Sequence, residues 1–287
     1  MTKVINYDSP QALRRYLDER GLGMRQRFGQ NFLINGEARK RLLDALEIGE
    51  GDTVWEVGPG LGAMTAGLLE RGAVVTAFEI DRGFVAALEE IFRGTEHCAV
   101  ISGDVLQTWR TVKDPGSYFL GNLPYNIAAR LLADFIESGR FFKRMVVTVQ
   151  REVARRITAR PGTKDYSSFS VLCGSVYTCT PLLVLKGASF YPQPNVESQG
   201  VRFDPRPDVP RYSRYFYPLI RCLFAARRKT VKNNLMRFVP FPGEPWKEIL
   251  ERAKIPGEER AENLGVAEFA VLAEAVEAVV RRPHGDQ

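Results

Sequence analysis

The sequence has few of the residues that build metal sites or disulfide frameworks. Its 287 residues include only two histidines and four cysteines, and no two cysteines have the CxxC spacing. We therefore predict free, buried thiols and no metal site. No apolar run is long enough to span a membrane, and residues 1–20 lack the pattern of a secretory signal. These absences lead us to expect a cytoplasmic protein that does not act at a membrane.

Positive charge is concentrated in one part of the chain. The net charge is +6, yet nine Lys or Arg lie between Arg206 and Arg237 against the single acid Asp208, whereas residues 241–287 hold ten acids and six bases. Tyrosines and asparagines are interleaved with these cations, as in surfaces that bind phosphates and stack on bases. A solvated helix face has the same composition, so charge alone leaves both a polyanionic partner and an ordinary surface open.

Short apolar runs alternate with helical patterns from residue 53 to about residue 203. This alternation predicts an α/β fold, a parallel sheet with helices on both faces. Strands are expected at 53–57, 74–78, 100–102, 118–120 and 145–149, helices at roughly 61–71, 82–93 and 126–139, and an antiparallel edge pair near 173–185 and 197–203.

The sequence pattern changes after Pro205, where helical patterns are separated by prolines. One such pattern runs from Tyr215 to Arg237 and another from Val266 to Val280. A further helix is expected near the start of the chain, from Pro10 to Arg20. We therefore predict three parts: a basic lead-in (1–35), an α/β domain (36–205) and a small helical domain (206–287).

A glycine-rich turn, VWEVGPGLGAMT, joins the first predicted strand to a helix. Gly58, Gly60 and Gly62 allow the backbone to turn sharply and to approach a ligand closely. The same kind of turn serves dinucleotide dehydrogenases and S-adenosylmethionine enzymes, and in other proteins it only packs a helix on a sheet. The turn by itself therefore leaves the ligand open.

Acidic residues end the next two predicted strands. Glu79 lies 21 residues after Gly58, where a carboxylate can accept hydrogen bonds from both hydroxyls of a ribose. Asp104 ends the third strand, where a carboxylate can accept from an adenine amino group. Either acid could instead form a turn or cap a helix. Because the carboxyl ends of parallel strands meet in one crevice, the set favours a nucleoside ligand.

The fourth strand ends in GNLPYNI, which brings an amide and an aromatic ring to the same crevice. An adenine amino group is a poor nucleophile because its lone pair is delocalised into the ring. The Asn122 side-chain oxygen and the Leu123 backbone oxygen, held in a turn that Pro124 stiffens, can accept both N–H bonds and aim the lone pair at an electrophilic methyl group. Tyr125 would stack on the extruded base. An asparagine-capped helix start with Tyr125 in the core is the structural alternative.

Taken in order, the motifs resemble the KsgA-type ribosomal RNA adenine dimethyltransferases, relatives of the Erm methyltransferases. The resemblance implies a Rossmann-like S-adenosylmethionine-dependent methyltransferase domain followed by a small all-α domain. It spans nearly the whole chain, and its last two segments favour the KsgA branch over the Erm branch. The segments are RFGQNFL (27–33), EVGPGLGAMT, FEID, GDVL, GNLPYNI, SFYPQPNVESQGVRF (189–203), FAARRKTVKNNL (224–235) and IPGEERAENLGVAEFAVLA (255–273).

The resemblance also implies roles for individual residues. The target adenine would lie between Phe190 and Tyr125, at a catalytic site made by Asn122, Leu123 and Pro124. From the residues alone, without the family resemblance, Phe190 is predicted to be an aromatic residue of the core. The cofactor, S-adenosylmethionine, would be bound by Gln30, Asn31, Leu33, Gly58, Gly60, Glu79, Asp104 and Asn122. RNA would be contacted by Arg25, Arg27, Arg151, Arg155, Arg156, Arg160, Arg221, Arg227, Arg228, Lys229 and Lys232.

The implied activity is methylation of N6 of two adjacent adenines in a hairpin near the 3′ end of 16S rRNA, giving N6,N6-dimethyladenosines. The partner would be the small ribosomal subunit, and the enzyme is expected to be a monomer. Three other functions stay open from the residues alone: an assembly factor that only binds the subunit, a nicotinamide dehydrogenase, and a DNA adenine methyltransferase. The dehydrogenase would leave Asn122–Tyr125 and the basic C-terminal half unexplained.

Overall fold

The five apolar runs predicted as parallel strands all form strands of one seven-stranded sheet. The computed structural model describes residues 5–23, 31–113, 116–124, 127–238 and 245–281. The strands are β1 (Phe32–Leu33), β2 (Thr53–Val57), β3 (Val74–Glu79), β4 (Cys98–Ser102), β5 (Tyr118–Asn122), β6 (Arg144–Gln150), β7 (Tyr177–Leu185), β8 (Phe190–Tyr191) and β9 (Ser198–Pro205). The helices are α1 (Pro10–Glu19), α2 (Gly36–Asp44), α3 (Ala63–Leu69), α4 (Arg82–Ile91), α5 (Val105–Thr108), α6 (Ala128–Glu137), α7 (Arg151–Thr158), α8 (Ser168–Val176), α9 (Phe216–Ala225), α10 (Val231–Phe238), α11 (Pro245–Ala253) and α12 (Val266–Val280).

The order of strands in the sheet is β4-β3-β2-β5-β6-β9-β7. Strands β2 to β6 are parallel to one another, and β9 runs antiparallel to β6. The chain passes from β2 outward to β3 and β4 and then returns to β5 on the other side of β2. This reversal opens a crevice beyond the carboxyl ends of β2 and β5, which is where ligands bind in open sheets of this kind.

Helices cover both faces of the sheet because neighbouring residues of its strands are apolar on both sides. Val54 packs in a cluster with Leu42 of α2 and Leu68 of α3. The next residue, Trp55, points to the opposite face, where its ring lies 6.4 Å from that of Phe135 on α6. A strand that is apolar on both faces needs helices on both, so the predicted fold class is confirmed.

The segment from 173 to 185 is only in part extended. Its first four residues belong to α8, and the strand begins at Tyr177. The start of α8 is fixed by Ser167, whose N–H donates to the Ser170 hydroxyl at 3.0 Å. The prediction of extended backbone over 173–176 is therefore wrong, because a capping box upstream decides the helix.

The chain divides into two compact units: Met1–Ala154 with Cys179–Pro205, and Arg155–Thr178 with Arg206–Gln287. Relative to the predicted limits, the segment 155–178 groups with the C-terminal residues. Its apolar side chains explain this grouping. Val171 lies in the core of the helical unit, and the Tyr166 hydroxyl donates to the Leu264 carbonyl at 2.8 Å.

The helical pattern from Tyr215 to Arg237 forms two helices, α9 and α10. The break is stabilised by Asn234, which is 1% exposed. Its side-chain amide donates to the carbonyls of Leu223 at 3.1 Å and Ala226 at 3.4 Å. The Leu223 carbonyl lies in the last turn of α9, and the Ala226 carbonyl, which also accepts from the Lys229 N–H at 2.8 Å, directly follows that helix. A buried asparagine one helix later therefore helps to satisfy the carbonyls at the end of α9.

The four cysteines are free thiols, of which Cys173 is buried and the other three are half-buried. Within the described ranges, no helix combines the length and apolar character needed to cross a bilayer.

Candidate active site

A cavity of about 280 Å³ lies at the carboxyl ends of four neighbouring strands. This volume is near the lower end of the range for small-molecule pockets, which is about 300–1,000 Å³. Residues that follow β2, β3, β4 and β5 all contribute to its lining, as the topology predicts. Lining residues include Asn31, Phe32, Leu33, Gly58, Gly60, Leu61, Glu79, Ile80, Asp104, Val105, Asn122 and Pro124.

The glycine-rich turn brings the end of β2 against the end of β5. Gly58 has a φ of +74°, and a Cβ added there would lie 3.2 Å from the backbone oxygen of Asn122. Gly62, at the start of α3, has a φ of +84°, and its Cβ would lie 2.5 Å from the Phe92 ring. A side chain at either position would strain the backbone and collide with a neighbour. Glycine at these positions therefore lets the end of β2 pack closely against the end of β5, and the start of α3 against Phe92.

Glu79 lines the cavity with a carboxyl group that is held in place by backbone donors. One oxygen accepts from the Gly60 N–H at 3.3 Å and the other from the Asp81 N–H at 2.9 Å. The residue is 5% exposed, and burial raises the pKa of its carboxyl to about 7. Hydroxyl donors from a ligand would stabilise the charged form of this group.

Asp104 both caps a helix and lines the cavity. It is the N-cap of α5, and one carboxylate oxygen accepts from the Leu106 N–H at 3.0 Å. The helix-cap alternative is thus correct for this residue. The same residue faces the ligand cavity, so its capping bond fixes the carboxylate there.

Asn122 is oriented by a hydrogen bond across the cavity rim. Its side-chain amide nitrogen donates to the Asn31 carbonyl at 3.0 Å. Since the amide is planar, its oxygen then points away from that carbonyl. The Pro124 carbonyl, two residues after Asn122, accepts from the N–H groups of Ile127 and Ala128 at 3.1 and 3.2 Å, where α6 begins. The roles of the Asn122 side-chain oxygen and the Leu123 carbonyl as acceptors stay predictions.

Leu123 and Phe190 are both buried, each 2% exposed. The Leu123 N–H donates to the Thr148 carbonyl at 3.1 Å, which fixes the backbone after β5. Phe190 pairs with Leu33 across β8 and β1, and both side chains belong to one core cluster. This is the position of the core aromatic considered as the alternative, and the stacking role of Phe190 stays a prediction. Tyr125, Gln30, Arg25 and Arg27 lie outside the described residues.

Two lining residues come from the start of the chain, where no sequence motif pointed to the cavity. Tyr7 and Leu13 both line it, and the Tyr7 hydroxyl donates to the Leu61 carbonyl at 2.9 Å. A signal did exist for two others, Ile80 and Val105, because each directly follows an acid at a strand end. Tyr7 and Leu61 are 54 residues apart, so only the folded chain reveals their contact.

A buried acid near the cavity was also missed. Glu56 is 2% exposed and accepts a hydrogen bond of 2.6 Å from the hydroxyl of Thr65, which is fully buried. Burial raises the pKa of the Glu56 carboxyl to about 7, although the Thr65 bond lowers it and the charge of Glu79 raises it further. The sequence signal was the acid two residues before Gly58.

Comparison with known proteins gives the chain its family. The family model described as ribosomal RNA adenine dimethylase matches residues 21–277. The chain belongs to this family, and it is a methyltransferase. A protein named ribosomal RNA small subunit methyltransferase A from Treponema denticola is 43% identical over 280 residues, covering 94% of this chain and 96% of its own length. The protein of that name from Treponema pallidum is 44% identical, covering 96% and 99%.

Solved structures agree with this membership of the dimethylase family. A dimethyladenosine transferase from Plasmodium falciparum is 25% identical, with a TM-score of 0.73, and the match covers 86% of this chain and 97% of that one. The 23S rRNA methyltransferase ErmE, at 22% identity and a TM-score of 0.64 over 85% and 99%, shares the fold. The dehydrogenase alternative is therefore excluded.

The cations predicted to bind RNA in this dimethylase family member differ in their contacts. Arg151 and Arg227 already have acidic partners: Arg151 pairs with Glu197, and Arg227 lies 3.0 Å from Glu262. The ammonium of Lys232 lies 4.7 Å from the centre of the Trp246 ring. The remaining cations have exposed side chains: Arg155, Arg156, Arg160, Arg221, Arg228 and Lys229.

Proposed function

We propose that the protein transfers methyl groups from S-adenosylmethionine to N6 of two adjacent adenines in a hairpin near the 3′ end of 16S rRNA. The products would be N6,N6-dimethyladenosines, formed during assembly of the small ribosomal subunit. Support comes from the two Treponema relatives, which are both named ribosomal RNA small subunit methyltransferase A. The choice of adenines rests on the sequence resemblance.

The observation that carries the proposal is the fixed amide of Asn122 at the cavity rim. Because its nitrogen is bound to the Asn31 carbonyl at 3.0 Å, its oxygen is left as an acceptor with a set direction. An acceptor fixed before the reaction needs no reorganisation when the amine changes geometry. The Leu123 carbonyl is the second acceptor in this proposal, since the Pro124 carbonyl already accepts from the N–H groups of Ile127 and Ala128.

The residues of the cavity fit the donor. Glu79 and Asp104 offer carboxylates for the ribose hydroxyls and the adenine amine, and Phe32, Ile80 and Val105 offer apolar walls. When bound, S-adenosylmethionine supplies an electrophilic methyl group on a sulfonium. Gly58 and Gly60 line the cavity without side chains, so a ligand could approach the backbone of the turn closely.

RNA is held, in this proposal, by the exposed cations of α7, α9 and the loop after α9, with the predicted helical domain (206–287) as the main RNA-binding part. Arg25 and Arg27 of the basic lead-in would add phosphate contacts. We place the reaction in the cytoplasm, where the enzyme would act as a monomer on the small subunit. Phosphate contacts of this kind make binding weaken steeply with salt.

The test is incubation of labelled S-adenosylmethionine with unmodified small subunits, followed by mapping of N6,N6-dimethyladenosine in the RNA. In the Asn122→Ala variant we expect turnover to fall by about 100–1,000-fold, the usual cost of removing one fixed acceptor or donor at a reacting centre. Binding to subunits should persist, since the exposed cations are unchanged.

The control is Asn263→Ala, which removes the side-chain amide of an exposed asparagine in the helical unit, one that donates to Glu259 at 2.6 Å. It should methylate at the wild-type rate. The proposal is wrong if the wild-type protein forms no dimethyladenosine in the RNA, or if Asn122→Ala is as active as the wild type. Methyl incorporation into DNA instead of RNA would point to the DNA methyltransferase alternative.

A further inference from the structure

The start of the chain is attached to both walls of the cavity by two consecutive residues. Tyr7 lines the cavity, and its hydroxyl donates to the carbonyl of Leu61, in the glycine-rich turn, at 2.9 Å. Asp8 pairs with Arg39 of α2. The same Arg39 side chain donates to the carbonyl of Leu33, on the opposite wall, at 2.7 Å. Tyr7 and Asp8 thereby join the turn on one side to β1 on the other.

Arg39 is well placed to fix this connection. Its side chain is only 12% exposed, although that of Asp8 is 63% exposed. A guanidinium binds a carbonyl and a carboxylate together through separate N–H groups, which a lysine cannot do with the same geometry. The glycine at position 36 makes room for this arrangement, because a Cβ there would lie 2.9 Å from a carboxylate oxygen of Asp8.

The wall that Arg39 holds also carries the groups that define the site. Asn31, which receives the Asn122 amide, is two residues before Leu33. Phe32 lines the cavity and pairs with Tyr191 across β1 and β8. A shift of the Leu33 backbone would therefore move both the cavity wall and the partner of Asn122.

We propose that Arg39 is a positioning residue for the donor cavity: by binding the Leu33 carbonyl and Asp8 together, it holds the N-terminal segment (residues 5–17) and β1 in the arrangement that binds the donor. The segment is thus part of the donor site and not a lead-in to it. The inference rests on the proposed function for the identity of the donor.

The chain offers a matched control in Arg71, which makes the same pair of contacts away from the cavity. It donates to the Gly67 carbonyl at 2.8 Å and pairs with Asp44 at 2.6 Å, and its side chain is 27% exposed. Arg39→Met and Arg71→Met each remove one guanidinium that bridges a carbonyl and an aspartate. A purely structural role would make the two variants behave alike.

The experiment measures binding of S-adenosylmethionine to the full-length chain by calorimetry, with the unfolding temperature as the measure of stability. We expect Arg39→Met to weaken binding about tenfold, or about 1.4 kcal/mol, and Arg71→Met to weaken it less than twofold, while both lower the unfolding temperature. Asp8→Asn should reproduce part of the Arg39→Met effect, and Arg39→Lys should restore part of the lost affinity. Hydrogen exchange over residues 5–17 should rise in Arg39→Met only.

Equal donor affinities in Arg39→Met and the wild type, or equal losses in Arg39→Met and Arg71→Met, would overturn the inference and leave the proposed function standing. A wild-type protein that binds no donor would overturn both. If Arg39→Met does not fold, Asp8→Asn decides, because asparagine at this exposed position keeps a side-chain oxygen that can accept from Arg39, and unchanged affinity in that variant counts against the inference.

Discussion

The buried carboxyl of Glu56 should make stability depend on pH in a predictable direction. Burial raises its pKa from 4.5 to about 7. Below pH 4.5 the group is protonated in both the folded and the unfolded chain, so it does not lower the free energy of unfolding. As the pH rises toward 7, the unfolded chain releases the proton while the folded chain keeps it, and the free energy of unfolding falls. Above pH 7 the loss is complete, at about 3 kcal/mol.

The perturbation that isolates this effect is Glu56→Gln. Glutamine has nearly the same shape and keeps an oxygen to accept the Thr65 hydroxyl, but it does not titrate. Relative to the wild type, the variant should gain up to about 3 kcal/mol of unfolding free energy between pH 4.5 and pH 8. Glu79 has a similarly raised pKa, but it is present in both proteins and largely cancels in the difference.

The assay is denaturant unfolding of both proteins at half-unit steps from pH 4.5 to pH 8, with the exposed Glu50→Gln as the control. The control should differ from the wild type by a constant amount, or not at all, across the range. A difference between Glu56→Gln and the wild type that stays flat or shrinks as the pH rises would refute the reasoning, because it would mean that Glu56 is already ionised in the folded chain at pH 5.

Two further predictions test the cavity and the RNA contacts. Gly58→Ala should lower the free energy of unfolding by more than Gly139→Ala. Both glycines have a positive φ (+74° and +76°), which costs an alanine about 1–2 kcal/mol at either position, but only at Gly58 would the added Cβ lie against the Asn122 carbonyl. Equal losses in denaturant unfolding would contradict the close approach. Arg228→Ala removes an exposed cation and should reduce the slope of log affinity for subunit RNA against log salt concentration by about one. Arg227→Ala removes a cation that is paired with Glu262 and should mainly lower the unfolding temperature. The opposite pattern would show that the paired cation is the one that contacts phosphate.

Local patterns were enough for the parts of the fold that depend on a few neighbouring residues. β2 forms at 53–57 as predicted and α12 at 266–280, because burial on both faces and helical periodicity appear directly in the order of side chains. The acids at strand ends were found for the same reason. Glu79 and Asp104 reach the cavity together because parallel strands share one carboxyl edge.

Local patterns failed where a distant residue decides the backbone. The helical pattern from Tyr215 to Arg237 did not show where one helix ends and the next begins, and that break is stabilised by the buried Asn234, which donates to carbonyls at the end of the preceding helix. Likewise, the segment 155–178 joins the helical unit because Tyr166 and Val171 bury themselves there. Periodicity shows which face of an element is apolar but not which partner will cover it.

By itself, the sequence determined the α/β class, the glycine-rich turn and the order of polar groups along one edge of the sheet, since each depends on residue types at short spacing. Only the tertiary structure decided the direction of the Asn122 amide, the burial of Phe190 and the attachment of Tyr7 and Asp8 to the cavity walls. Those features depend on contacts between residues 31 and 122, 33 and 190, and 8 and 39. Such pairs are brought together by packing of the whole chain, and no spacing along the sequence encodes them.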